Sequence, residues 1–437
     1  MPLFPKLLGL LLLLGQTMVV QGDDLVTIYQ DALLNDRQFS AAQAEREAGL
    51  ENVIQARAGL LPEVSLQAQN LWNRSQYQVE GGEIEHRRQN QTYSIQLVQP
   101  VFRWKSWILY QQGNQQTALA VTRFHGAQQA LILRVATAYF EVLSTEEALD
   151  ALRQQQIADA QLLASARKQF ELGNVSIADV HEAQSSADRA LAASIKAKSD
   201  VQLARHGLAR IIGRQPGPLP GLRNGVSLEP PFPSDIDVWI EQAQQSGFEV
   251  QHQALLLEIA RNEVRSRKAD HLPTIDLVAS QGMQQRPNVG TERSDSSSIG
   301  LRISVPLYGG GRTRSAVRQA QALHEQSEAQ YEEAKRTAQL QVREAWLGVV
   351  SGMAQVQALE TASVSAKSAL EANQLGYRVG VRISIDVLQV QSRFTETVQQ
   401  LSRARYDTLL AKLRLKATVG GLMESDLIEL NRLLHLH

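Results

Sequence analysis

The stretch YGGGRTR, Tyr308 to Arg314, has the residue types needed to wrap a phosphate: flexible backbone N–H groups and two cationic side chains. It follows an alternating apolar–polar segment and opens a long helical one, so a flexible strand-to-helix turn is the reading it favours. His435 and His437 in the terminal HLH could share a metal ion, but two histidines at a chain end usually fray into solvent. Asn73, Asn90 and Asn174 begin triplets that match glycosylation acceptors and are read as chance. No Ser/His/Asp or paired-carboxylate arrangement stands out, and no G-x-x-x-x-G-K-S/T is present to hold a nucleotide. There is no cysteine for a disulfide, a thiolate metal site or an N-terminal lipid anchor. The expectation is a protein that is not an enzyme and uses no cofactor. What remains is a pair of carboxylates, Asp179 and Asp386, in two stretches of one design, FELGNVSIADV from Phe170 and YRVGVRISIDV from Tyr377. Each has an aromatic residue, a Gly three positions on, and an Asp-Val pair six beyond that Gly.

The two stretches lie 207 residues apart, and so do Gly173 and Gly380, AYF at Ala138 and AWL at Ala345, and Gly213 and Gly420. Pro100 in LVQPVF answers Pro306 in ISVPLY at 206, and Leu61-Pro62 answers Leu272-Pro273 at 211. The first half therefore carries about five extra residues between those landmarks, expected in an exposed loop. One unit is written twice, over residues 23–215 and 234–437, joined by a Pro- and Gly-rich linker at 216–233. Residues 1–22 precede it, with Lys6 as a basic start and LLGLLLLLG from Leu7 as an apolar core. They read as a signal peptide cleaved before Asp23, and no later apolar run reaches the roughly 18 residues of a membrane helix.

Each half has the same internal order. A helical stretch such as Ile28 to Leu60 ends before a Leu-Pro, and period-2 alternation follows. Val64, Leu66, Ala68 and Trp72 fall on one face, and Glu63, Ser65, Gln67 and Gln69 on the other. After a polar loop, Tyr93, Ile95 and Leu97 alternate with Ser94, Gln96 and Val98. The second half repeats this with Ile275, Leu277 and Ala279, then with Ile299, Leu301, Ile303 and Val305 opposite Gly300, Arg302 and Ser304. Four strands are expected. Proline then disappears, and apolar residues recur at steps of three and four, as in Leu131, Val135, Ala138, Val142, Leu149 and Leu152. The second-half stripe runs Val342, Ala345, Val349, Met353, Val356, Leu359, Ala362, Ala366 and Leu370, with coiled-coil spacing. A helix from about Gly311 to Tyr377 would be roughly 100 Å long. Gly173 and Gly380 can take positive φ where such a rod ends, and Ser176 and Ser384 are placed to cap the returning helices. Each repeated stretch is the tip of a helical hairpin.

The 437 residues carry a net charge of −1, which gives no excess of positive charge for nucleic acid; 43% are hydrophobic but only 5% aromatic, a balance suited to closely packed long helices. Four amphipathic strands cannot close a membrane barrel, whose smallest members have about eight. Open edges are not tolerated in lipid, so several identical chains would have to share one barrel, three of them supplying about twelve strands. The other class these strands allow is a soluble periplasmic coiled-coil adaptor or scaffold, with the strands in a small sandwich and no pore.

The landmarks resemble the TolC-like outer-membrane efflux family of Gram-negative bacteria across the whole mature chain. The carriers are LLP at Leu60, YSIQLVQPVF at Tyr93, ATAYFEVL at Ala136, the two tip stretches, HLPTIDLVAS, GLRISVPLYGGG and LLAKLRLKATVG. The resemblance implies an α+β, internally duplicated homotrimeric channel-tunnel. Four strands per subunit would enter one outer-membrane barrel, and coiled-coil hairpins would form a periplasmic tunnel. It implies a passive duct for type I secretion or multidrug efflux, in contact with outer-membrane lipid. Its partners would be a periplasmic membrane fusion (adaptor) protein, docking at the Gly173 and Gly380 tips, and an ABC or proton-driven inner-membrane transporter. The missing lipidation cysteine sets the chain apart from the lipoprotein branch of drug-efflux members and favours the secretion-type branch. Matching along the tip motifs transfers Asp179, Tyr377 and Arg382 to a gate latch, and Asp386 to an acidic ring that narrows the entrance and favours cations. Ala178 stands where a hydroxyl partner for the Arg is expected, and Gln389 where a second acidic residue would sit.

Overall fold

The computed structural model describes residues 23–434, apart from 224, 227 and 287–290. The expected signal peptide at 1–22 and the terminal His435 and His437 lie outside the described residues.

The chain opens with α1 (Leu25–Asn35) and α2 (Arg37–Ala58), where the sequence suggested one continuous helix from Ile28 to Leu60. Asp36 makes the break. Its backbone is extended, its carboxylate caps α2 by accepting from the Phe39 N–H at 2.7 Å, and Arg134 pairs with it at 2.9 Å. Next come β1 (Glu63–Val79), β2 (Gly82–Phe102), α3 (Trp104–Glu171) and α4 (Ile177–Ile212). After a segment strapped down by Arg214 to Asp23 and by an isolated bridge, Leu222 to Leu434, the order repeats. It runs α5 (Ile236–Ser246), α6 (Phe248–Ala269), β3 (Thr274–Gln285), β4 (Arg293–Ser304), α7 (Arg312–Arg378) and α8 (Ser384–Thr418), closed by α9 (Glu424–Asn431).

The strands form one antiparallel sheet in the order β1-β2-β3-β4, not a sandwich. Directly opposed residues share a face. The pairs Leu66–Ile95, Leu97–Ala279 and Leu277–Leu301 therefore lay a single apolar surface across all four strands. Gln67–Ser94, Gln96–Ser280 and Ser280–Ser298 line the opposite, polar surface. The polar stretch expected as a loop between Trp72 and Tyr93 is instead a two-stranded ribbon that continues β1 and β2 beyond the sheet to a turn at Gly81, whose φ is +120°. Arg74 and Arg87 both reach Glu85 across and along it, at 2.5 and 2.6 Å. The extra residues of the first half thus extend strands rather than a loop, because paired polar strands satisfy their own backbone in water.

The rods are as long as the proline-free runs suggest. The 68-residue α3 and 67-residue α7 would each span roughly 100 Å. Val342, Val349, Val356 and Leu370 are buried along α7 on a strict seven-residue track, with Ser363 half-buried on it, while Ala362 from the expected stripe is exposed. A seven-residue repeat winds the helices into a left-handed supercoil. The main core sits where α1, α3, α4, α8 and α9 meet, around Tyr139, Phe140 and Tyr406; the last two rings are 5.4 Å apart. A second cluster around Trp239, Val342 and Leu415 ties α5 to α7 and α8. Between α2 and α3 the backbones approach closely at Gly49, where an added Cβ would stand 2.2 Å from that of Ala120. No helix among the described residues is long and apolar enough to cross a membrane.

Candidate functional site

Both hairpin tips turn as the glycines suggest. Gly173 and Gly380 have φ of +76° and +80°. The N–H of Asn174 bonds back to the Gln169 carbonyl, and that of Val381 to Gly376, each at 2.9 Å. These six-residue closures satisfy the carbonyls left open at the ends of α3 and α7.

The returning helices start differently. At α4, Ser176 is the N-cap, and Asp179 completes a capping box: its Oδ2 accepts from the Ser176 N–H at 2.9 Å, and the Ser176 hydroxyl accepts from the Asp179 N–H at 3.3 Å. At α8, Ser384 is not the cap the sequence suggested. It is the first helical residue, its hydroxyl is buried without a partner, and Ile383 holds the N-cap position with no side-chain bond. The offset of 207 that aligns Asp179 with Asp386 aligns Ser176 with Ile383, so the repeat itself carried the signal. Released from capping, the Asp386 carboxylate lies 3.6 Å from Arg382, one turn back.

Within the chain no hydrogen bond or ion pair joins Asp179, Tyr377 and Arg382. The Tyr377 hydroxyl is buried and has no partner. It borders an open groove of about 410 Å³ between the two hairpins, lined also by Asp159, Leu162, Leu388 and Gln391. The hairpins meet there through Ala166, Ala183 and Leu388. Ala178 and Gln389 are both exposed.

Asp159 was not singled out in the sequence. It is 1% exposed inside the α3–α4 coil, where it accepts a 3.0 Å bond from the Ser186 hydroxyl. Burial raises its pKa above the ordinary 3.8, against bonds from Ser186 and Gln155 and the charge of Arg189. A carboxyl with a raised folded-state pKa favours the fold most below the unfolded value, and that contribution is lost as pH rises through the folded one. Asp159→Asn is therefore expected to make the coil more stable at neutral pH and to flatten its loss of stability between acid and neutral pH. Hydrogen exchange of the Gln155–Leu163 amides measures both.

The sheet offers the other candidate surface. Leu66, Trp72, Ile299 and Leu301 are 72%, 73%, 76% and 65% exposed, so the apolar face has no cover among the described residues. That removes the sandwich required for a soluble scaffold. At the foot of the sheet Arg103 grips Asp276 with two 2.7 Å bonds, and Phe102, Trp104 and Trp107 stand exposed beside it. Strands β3 and β4, at 12 residues each, match the 9–11 or so that a tilted membrane strand needs.

Comparison with known proteins agrees with this geometry. The family described as outer membrane efflux protein matches residues 28–214 and again 239–421. The outer membrane protein TolC of Escherichia coli is 31% identical over 99% of this chain and 89% of its own. The alkaline protease secretion protein AprF of Pseudomonas aeruginosa is 31% identical over 91% and 85%. Among solved structures, the Campylobacter jejuni CmeC outer membrane channel shares the fold with a TM-score of 0.81 at 15% identity, over 94% of this chain and 89% of that one.

Proposed function

This chain belongs to the outer membrane efflux protein family, and from that membership we propose that three copies close their sheets into one twelve-stranded barrel and their hairpins into one tunnel. It is an outer-membrane exit duct for secretion and efflux, reaching into the periplasm. The observation that carries the trimer is an uncovered apolar face on a sheet whose edges, β1 and β4, have free backbone groups. In lipid such edges must be paired, and a head-to-tail β4-to-β1 contact that closes after three copies pairs them all. The helical flanks support the same contact: α7 exposes Leu340, Leu347 and Val364, and α4 exposes Leu191, Ile195 and Leu203. The polar sheet face would then line the lumen. A periplasmic adaptor would dock at the Gly173 and Gly380 tips, and an inner-membrane transporter would supply the energy, since the relatives serve secretion and efflux systems.

The tips hold the gate in this reading. The unpartnered Tyr377 hydroxyl would donate to Asp179, whose bonds within the chain all fall on Oδ2, and Arg382 would join the latch in the resting trimer. Asp386 would form the ring at the entrance. Detergent extraction from outer membranes as a trimer with conductance in planar bilayers is the expected result; a monomer released by salt overturns the duct. Tyr377→Phe is expected to raise single-channel conductance, and so is Asp179→Ala combined with Arg382→Ala. Unchanged conductance in correctly assembled trimers removes the latch assignment.

A further inference from the structure

Asp159 belongs to two surfaces at once. Inside the α3–α4 coil it is 1% exposed and accepts from the Ser186 hydroxyl, and it also lines the groove of about 410 Å³ between that coil and the α7–α8 hairpin. The hairpins come together beside this groove, and their hold is slight: Ala166 and Ala183 of the first against Leu388 of the second. Two methyl groups and one leucine bury little apolar area.

The groups around Asp159 serve its charge poorly. On its own helix it has Gln155, and α4 contributes Ser186, Arg189 and, in an adjoining groove, Glu182. From α7 come Tyr377 and Arg378; from α8 come the uncharged Leu388 and Gln391, with Arg393 and Glu396 further along in the adjoining groove. Burial outweighs the bonds and the charge of Arg189, and raises the carboxyl pKa above the ordinary 3.8. An ionised carboxylate there needs water. So does the Tyr377 hydroxyl, which is buried without a partner at the border of the same groove. Together with Gln391 they would give an entering water the polar partners it requires.

We propose that Asp159 is a proton-operated catch between the two hairpins: neutral, it lets the groove close and the hairpins dock; ionised, it draws water into the groove and parts them. The docked arrangement buries the carboxyl and holds its proton more tightly than the parted one. Acid therefore favours docking, and that preference is lost as pH rises through the docked-state value, which lies above 3.8. The catch lies within one chain and does not depend on the gate latch. In the proposed tunnel it would tighten the wall in acid.

The chain has no cysteine, so spin labels can be placed on Gln161→Cys of α3 and Gln374→Cys of α7, exposed residues that line the groove from opposite hairpins. Pulsed electron resonance then measures their separation in the full-length protein, with labelled chains diluted in unlabelled ones. With Asp159 in place, a single short distance is expected in acid, and a population longer by a few ångströms at neutral pH. Asp159→Asn cannot ionise and is expected to keep the short distance throughout, as is Asp159→Ala with a different neutral side chain. A distance that ignores pH with Asp159 present overturns the inference. So does a pH shift that survives in either neutral variant, since another group would then carry it. The distances are read whether or not the protein conducts, so failure of the catch and failure of the duct are separate results.

Discussion

Ile299→Arg is expected to keep the protein out of the outer membrane. Ile299 lies midway along β4, opposite Ala279, on the face that none of the described residues covers. An arginine facing lipid at mid-depth of a barrel costs about 2–4 kcal/mol, and in the proposed trimer three copies would carry it, roughly 6–12 kcal/mol in all. Ser298→Arg places the same side chain one residue away on the polar face and gives up little besides a bond to Ser280. Trimer recovered from outer membranes is expected to collapse for Ile299→Arg and to stay near wild type for Ser298→Arg. Equal recovery of the two variants contradicts the assignment of faces, because only the pleat distinguishes neighbouring residues.

Asp276→Ala is expected to loosen the junction between the sheet and the long helices. Asp276 is 6% exposed at the start of β3, and Arg103, between β2 and α3, holds both of its oxygens. Removing the acid leaves the Arg103 guanidinium without the carboxylate that accepts both of its bonds. Loss of one partner from a buried pair costs about 3–5 kcal/mol, and about 2–4 is expected here because Arg103 keeps 38% of its side chain in solvent. The proposed trimer should dissociate in detergent at a clearly lower temperature. Arg103→Ala together with Asp276→Ala should lose less than the two single variants combined, by about 1 kcal/mol or more. Strict additivity would mean that the two residues stabilise the elbow independently.

The duplication, the four strands with their apolar faces, the length of the rods and the glycines at their tips were all legible in the sequence. Those features depend on periodicity and on backbone freedom, which are local and repeat every two, seven or 207 residues. The sequence also held one signal that was misread: Ser384 is one residue out of the repeat, and the true counterpart of Ser176 is Ile383. The break at Asp36 and the ribbon beyond Trp72 were missed because a capping aspartate and a paired polar strand look, in one dimension, like a helix interior and a loop.

Tertiary structure alone decided which polar groups meet. Asp159 against Ser186, Arg103 against Asp276, and the Tyr377 hydroxyl left beside a groove that Asp159 also lines all depend on segments 27 to 218 residues apart arriving at one place. So does the sheet order that unites two distant hairpins into one apolar face. A chain fixes its periods residue by residue, but the partner of a buried charge is fixed only when distant surfaces close and exclude water, because desolvation, not spacing, makes an unpaired group costly.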